Sequence, residues 1–148
     1  MTDLALHVDA TTFQKGRHNI TGGIWFTVGS KPFPAKGWND FPAVVLGWWL
    51  EALRLRHLKK KACDLTFMDG PFSLKISTLD SANVAAEPYR NLSALTGLAV
   101  SVPVMTLDTQ VLKSAVLVDE TCRANDWESA DIAFLRKQIF GLRQMIER

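Results

Sequence analysis

The chain has few of the residues that usually carry catalytic or metal chemistry. Cys63 and Cys122 are its only cysteines, and neither has another cysteine or a histidine at metal-ligand spacing. This argues against a disulfide scaffold and a local zinc motif, and it predicts two buried, structural thiols in a reducing cytoplasm. His7, His18 and His57 are far apart, so a metal site would need tertiary contacts alone. Glycine-rich nucleotide and phosphate motifs are also missing, so we expect no cofactor and no metal.

An excess of charge of one sign and a long apolar run are missing as well. The 17 Lys and Arg residues are nearly balanced by 15 Asp and Glu residues, which argues against a nucleic-acid partner. The longest apolar run, from Phe41 to Leu50, is too short to cross a bilayer. The first residues, MTDLALHVDATT, lack the basic and apolar regions of a signal peptide. We therefore expect a cytoplasmic protein with no membrane partner.

What the chain does contain is an ordinary globular composition with a large share of tryptophan. Its 148 residues are 47% hydrophobic and 22% charged, values typical of one folded domain, which we expect to span residues 1–148. Five tryptophans occur, at positions 25, 38, 48, 49 and 127. Tryptophan is common both in cores and at the centres of protein interfaces, so the count is compatible with either role.

Hydrophobic patterning predicts strands in the first third of the chain and a buried helix after them. Residues 4–12 and 24–28 alternate between apolar and polar side chains, as half-buried strands do. Asn39 or Asp40 is placed to cap a helix that has Pro42 in its first turn and runs to about Lys60. The first half of this helix is apolar all round, which predicts that it forms the centre of the core. In its second half the pattern predicts inward Leu55 and Leu58 and outward Arg54, Arg56, His57 and Lys59.

The segment CDLTFMDGPFSLKI, residues 63–76, predicts a β-hairpin with a four-residue loop at 68–71. The cross-strand pairs are then Phe67/Phe72, Thr66/Ser73, Leu65/Leu74, Asp64/Lys75 and Cys63/Ile76. This register makes one face of the hairpin apolar and the other polar, and Asp-Gly is a common hairpin corner. Pro71 has no N–H to close a two-residue turn, which favours the longer loop.

The last third predicts a short strand at residues 97–102 and two helices, while residues 81–96 carry weaker signals. The helices have apolar stripes at Leu107, Val111, Ala115, Val118 and Cys122, and at Ile132, Leu135, Ile139, Leu142 and Ile146. Asn125 or Asp126 is predicted to cap the second helix. Together the elements indicate an α+β fold, with an antiparallel sheet of about four to six strands, a central buried helix and two C-terminal helices.

Two aspartates are the candidates for a catalytic carboxylate. Asp69 lies in the hairpin loop, where aspartate tolerates the corner and hydrogen-bonds its own backbone. Asp40 lies at the start of the central helix, where capping explains it. We predict structural roles for both and no catalytic residue, because the sequence places no second carboxylate or histidine beside either. A small enzyme or ligand-binding domain that uses Asp40, Asp69 or a histidine in a pocket stays open as the alternative.

The basic run RLRHLKKK, residues 54–61, is the one concentrated charge feature. Cations at the end of a helix complement its dipole, and the same cations could also meet an acidic partner. Aromatic and arginine anchors dominate tight interfaces. We therefore select five candidate partner-binding residues, namely Trp25, Trp38, Arg54, Arg56 and Lys59.

Trp48 and Trp49 are adjacent on the predicted helix and point about 100° apart. They cannot both face one neighbour. We expect one of them in the core, leaving the other to cover a groove or reach a partner.

The middle of the chain resembles small bacterial proteins of unknown function. The resemblance lies in GGIWFTVGSKPFPAKGWNDF, VVLGWWLEAL and LTFMDGPFSLKI, which read as a strand, a W-x-D-F helix start, a tryptophan-rich helix and an F-x-DGP hairpin. It covers a third to a half of the chain. Proteins of this size and build often serve as cytosolic immunity proteins paired with toxins. The resemblance therefore implies a non-enzymatic protein-interaction module with a protein partner, such as a toxin that it binds and blocks.

A homodimer through the C-terminal helix is a further hypothesis. The stripe from Ile132 to Ile146 has the spacing of a helix that pairs with a copy of itself. Packing inside the same chain explains that stripe equally well.

Overall fold

The computed structural model describes residues 3–59, 61–95 and 97–147. Nine strands and three helices occur in these ranges. In chain order they are β1 (Leu4–Lys15), β2 (Ile20–Val28), β3 (Lys31–Phe33), β4 (Asn39–Asp40), α1 (Pro42–Lys59), β5 (Cys63–Thr66), β6 (Phe72–Thr78), β7 (Asn83–Arg90), β8 (Ser93–Ala94), β9 (Val100–Pro103), α2 (Val104–Ala124) and α3 (Ala130–Ile146). The predicted end of α1, Lys60, lies outside the described residues.

The α+β class, the central helix and the two C-terminal helices are confirmed, and the strands are divided between two antiparallel sheets. The first sheet has the order β1-β2-β3, with β4 also paired to β2. The second has the order β5-β6-β7-β8, with β9 also paired to β7. Strand β7 occupies half of residues 81–96, the segment with the weakest pattern. It lies between β6 and β9, and its backbone pairs with both strands. These partners stabilise a strand that the local sequence does not indicate.

The predicted hairpin is confirmed in both register and face. Residues 63–66 pair with residues 76–73 in the predicted order, and Phe67 N donates to Phe72 O at 3.0 Å. Leu65, Leu74 and Ile76 are fully buried. A one-residue slip would turn this apolar face to water, so the pattern itself selects the register.

Helix α1 lies at the centre of the core and contacts α2, α3, β2 and β5. An aromatic cluster joins the two sheets beside it. Trp49 on α1 packs on Phe26 of β2 and on Phe67 at the end of β5, with ring centroids 5.1 Å apart in both pairs. Phe33 of β3 contacts the rings of Phe67 and Phe72 edge-on at 6.0 and 5.9 Å. Aromatic rings therefore make contacts between the two sheets.

The two C-terminal helices bury the predicted stripes except at Ile146, which is half-buried. The buried side chains are Leu107, Val111, Ala115, Val118 and Cys122 on α2, and Ile132, Leu135, Ile139 and Leu142 on α3. Helix α3 packs on α1 and α2, so most of its stripe is already covered within the chain. Phe140, on another side of α3, is 65% exposed. The homodimer stays a prediction that this packing does not require.

The predicted cap of α3 was wrong. Ser129 is the N-cap, and its hydroxyl accepts a hydrogen bond from Ile132 N at 3.2 Å. Asn125 instead ends α2, with Asn125 N bonded to Thr121 O, and Asp126 adopts a left-handed backbone conformation with φ of 56°. Asn and Asp suit both ends of a helix, so the sequence places them near the boundary but does not say which helix they serve.

Candidate functional site

Asp40 fastens the hairpin loop to the start of α1. Its carboxylate is 1% exposed and accepts four hydrogen bonds. The donors are Trp38 Nε1 at 2.9 Å, Phe41 N at 2.8 Å, Met68 N at 3.3 Å and Asp69 N at 3.1 Å. Each carboxylate oxygen accepts two of these bonds. The predicted capping of α1 by Asp40 is not seen, because no N–H group of α1 is among its donors and Phe41 precedes the helix. The side chain instead fixes a loop that follows almost thirty residues later.

Asp69 has the structural role expected for a loop residue, through its backbone. Its side chain is exposed and makes no hydrogen bond within the described residues, so the predicted bond to its own backbone is not seen. Gly70 takes the left-handed corner with φ of +82°. What holds the loop is the bond from Asp69 N to the buried carboxylate of Asp40.

Trp25 and Trp38 occupy different environments. Trp38 is half-buried, its ring meets Phe72 edge-on at 5.3 Å, and its indole N–H is bonded to Asp40. Trp25 lies on the outer face of β2 and stacks on His7 of β1 at 5.3 Å. His7 Nε2 is 2.7 Å from Thr27 Oγ1. Trp25 and His7 border a groove of about 440 Å³ between β1 and α2, whereas Trp38 is engaged in the fold.

The three candidate cationic side chains of α1 also lie in different surroundings. The Arg54 side chain lies against α3, where its Cδ would be 3.1 Å from a Cβ at Gly141. Arg56 reaches the second sheet, with Nη2 3.4 Å from Thr78 Oγ1, and Lys59 is exposed. Residues two apart on a helix point to different sides, which separates Arg54 from Arg56. The five candidate partner-binding residues therefore do not form one continuous surface.

The second half of α1 is oriented differently from the prediction. Leu55 and Leu58 were expected inward, but they are 37% and 55% exposed. Arg54, Arg56 and His57 were expected outward, but all three are partly buried. The reason is tertiary, because α3 packs beside this part of α1 and takes the side on which Arg54 lies. Periodicity gives the width of an apolar stripe but not which neighbours are present to cover it.

An exposed apolar face results, formed by Trp48, Leu55 and Leu58 and bordered by Lys59, which we call the α1 outer face. Trp48 is 40% exposed while Trp49 is fully buried, so the expected split of the tryptophan pair is confirmed. Beside Leu55 lies an apolar depression of about 260 Å³ that extends to Lys61, Ala62 and Cys63. Exposed large apolar groups that are contiguous and rimmed by charge are typical of interaction sites.

His57 and Asp108 form a pair between α1 and α2 that the sequence did not predict. His57 Nε2 is 2.6 Å from Asp108 Oδ2, and the two side chains are 24% and 1% exposed. Burial raises the pKa of Asp108 above its ordinary value, and the hydrogen bond from His57 opposes that rise. A signal for the pair exists, since Asp108 shares the buried side of α2 with Val111 and Ala115. An acid on an apolar stripe needs a partner, but the sequence does not identify it.

The described residues contain no group of three or more acidic, histidine or cysteine side chains arranged to hold a metal ion. None of the three helices, as far as they are described, is both long and apolar enough to cross a membrane.

The Cys63 thiol is expected to react slowly. Burial raises the pKa of Cys63 to about 11, and that of the buried Cys122 to about 11 as well. Against an ordinary cysteine pKa of about 8.5, this leaves roughly 100-fold or more less thiolate at neutral pH. Iodoacetamide alkylation of the Cys122→Ser variant, followed by mass spectrometry, should therefore be that much slower than alkylation of free cysteine. Equal rates would show that the Cys63 thiol is accessible and that its pKa is not raised.

Comparison of the chain with protein families, with curated proteins and with solved structures gives no match.

Proposed function

We propose that the chain is a non-enzymatic protein-interaction module that binds its partner through the α1 outer face. The supporting observation is the orientation of α1, which leaves Trp48, Leu55 and Leu58 exposed while neighbouring polar side chains are partly buried. Exposing apolar side chains gains nothing for folding, so a face of this kind points to burial against another protein.

The charges around this face indicate the chemistry of the partner. Lys59 and Lys61 stand at one end of it, and Arg56 borders the same apolar depression. Glu51, half-buried on α1, contributes one opposing charge. A complementary surface would carry an apolar centre with acidic residues beside it, because opposite charges steer association and set register.

An immunity role is the specific form of this proposal. In that role the chain would bind a toxin made by bacteria and cover the surface that the toxin needs for its activity. The immunity role rests on the resemblance of the Trp38–Phe41 and Phe67–Pro71 segments to small bacterial proteins, and not on the α1 outer face. For the alternative of a small enzyme, Asp40 is a weak candidate because both of its oxygens are already bonded within the fold.

Trp48→Ala should weaken partner binding at least about 30-fold, since truncating a central aromatic anchor typically costs about 2 kcal/mol or more. The partner is first captured from the native host's lysate with the tagged wild-type protein. Affinities of purified variants are then measured by calorimetry. Phe140→Ala is the matched control, since it removes an exposed aromatic side chain from α3 and should leave affinity unchanged.

Other outcomes would test the choice of binding surface and the immunity role separately. Loss of binding in Trp25→Ala but not in Trp48→Ala would contradict the α1 outer face and assign binding to the groove beside His7. A captured partner that arrests growth when expressed alone, and is harmless when co-expressed with this chain, would support immunity. A partner with no such effect would contradict immunity but leave the interaction module intact.

A further inference from the structure

A small cavity lies where the end of α1 meets the β6–β7 turn and the start of α2. Its volume is about 220 Å³, and its lining residues are Arg56, His57, Thr78, Asp80, Ser81 and Val104. It is distinct from the α1 outer face, because His57 and Leu55 point to different sides of the same helix. The cavity brings together a guanidinium, an imidazole, two hydroxyl groups and the carboxylate of Asp80.

Hydrogen-bond donors at this cavity lack acceptors in the described part of the chain. The Nε of Arg56 is buried and has no acceptor among the described residues. Its Nη2 makes one long contact, 3.4 Å to Thr78 Oγ1. His57 uses Nε2 for Asp108, which leaves Nδ1 as the remaining polar atom of the ring. A buried donor without an acceptor costs free energy, so a bound acceptor would relieve it.

The carboxylates near the cavity are engaged elsewhere. The Asp80 side chain is hydrogen-bonded to the backbone of its own loop. Its Oδ1 accepts from Ala82 N at 2.8 Å and from Asn83 N at 2.9 Å. The same hydrogen bonds lower the pKa of Asp80, so it stays charged but faces solvent. Asp108 Oδ2 is bonded to His57. The buried polar atom at this cavity that has no partner among the described residues is therefore a donor, Arg56 Nε.

We propose that this cavity binds the oxyanion group of a small molecule, a phosphate or a carboxylate. Arg56 would provide the charged contact from its guanidinium, the hydroxyls of Thr78 and Ser81 would donate beside it, and His57 would add a donor in the tautomer that carries its proton on Nδ1. The arginine fork matches the geometry of such groups better than a lysine would. The inference does not depend on the protein-interaction role, because its ligand is different and Arg56 is the residue that the two sites share.

The test is a titration of the full-length protein with inorganic phosphate, and separately with acetate, followed by ¹H–¹⁵N NMR. Ionic strength is held at about 0.1 M, where charges more than about 10 Å apart are largely screened. We expect saturable shifts of the Arg56 Nε–H and Ser81 amide signals, with millimolar affinity. Tighter binding of phosphate would identify a phosphate site, and tighter binding of acetate a carboxylate site.

Two variants give the contrast. Arg56→Gln should weaken binding at least about tenfold, because it removes the charged donor. Lys59→Gln makes the same change of charge one helical turn away and should leave affinity unchanged. Thr78→Val, which keeps the size of the side chain, should weaken binding even if Arg56→Gln fails to fold. Shifts that never saturate, or equal losses in Arg56→Gln and Lys59→Gln, would overturn the proposal.

Discussion

Asp40→Ala is expected to lower the free energy of unfolding by about 3 kcal/mol or more. The substitution removes the acceptor for four hydrogen bonds, two of them from Trp38 Nε1 and Phe41 N in the partly buried connection before α1. The other two come from Met68 N and Asp69 N, so the hairpin loop would also lose its tie to α1. Urea denaturation followed by tryptophan fluorescence measures the loss.

Asp69→Ala is the matched control. Asp69 is an aspartate in the hairpin loop that Asp40 holds, but its own side chain is exposed. We expect a change within about 0.5 kcal/mol. Asp40→Asn should recover only part of the wild-type stability, since an amide has one acceptor oxygen and would turn its NH₂ toward two of the N–H donors. A wild-type unfolding curve for Asp40→Ala would show that the carboxylate is not needed for the fold, which would reopen a functional role for it.

Trp49→Ala should cost about 3–5 kcal/mol, the range for truncating a large buried aromatic side chain. Trp49 is fully buried, packs on Phe26 and Phe67, and donates from Nε1 to Thr66 O at 2.8 Å. One side chain therefore holds both sheets to α1. Since small domains have only about 5–15 kcal/mol of stability in total, the variant is expected to be close to unfolding at room temperature.

The neighbouring Trp48→Ala provides the comparison, because the residue type and the helix are the same and only the burial differs. We expect a loss below about 1 kcal/mol. The same variant is the one predicted to lose partner binding, so stability and affinity should separate between the two positions. Equal destabilisation by both substitutions would contradict the exposed placement of Trp48 and with it the α1 outer face.

The local sequence was sufficient to predict an element where its pattern is compatible with only one structure. The hairpin from Cys63 to Ile76 is the clearest case, because alternation, loop residues and cross-strand pairing all agree on the same register. The stripes of α2 and α3 are similar, since a continuous 3,4-spaced apolar row can be buried on only one side. Strand β7 was hard to predict for the opposite reason, since its partners β6 and β9 supply what its own residues leave open.

The α+β class, the central helix, the hairpin register and the C-terminal helices were thus determined by the sequence itself, because they depend on periods of two and 3.6 residues. Tertiary structure alone decided that Leu55 and Leu58 face outward, that His57 meets Asp108, and that Asp40 holds a loop distant in sequence. These contacts join residues far apart in the chain, and no local period encodes which elements will be neighbours. For that reason both candidate sites, the α1 outer face and the cavity at Arg56 and His57, emerge only from the packed molecule.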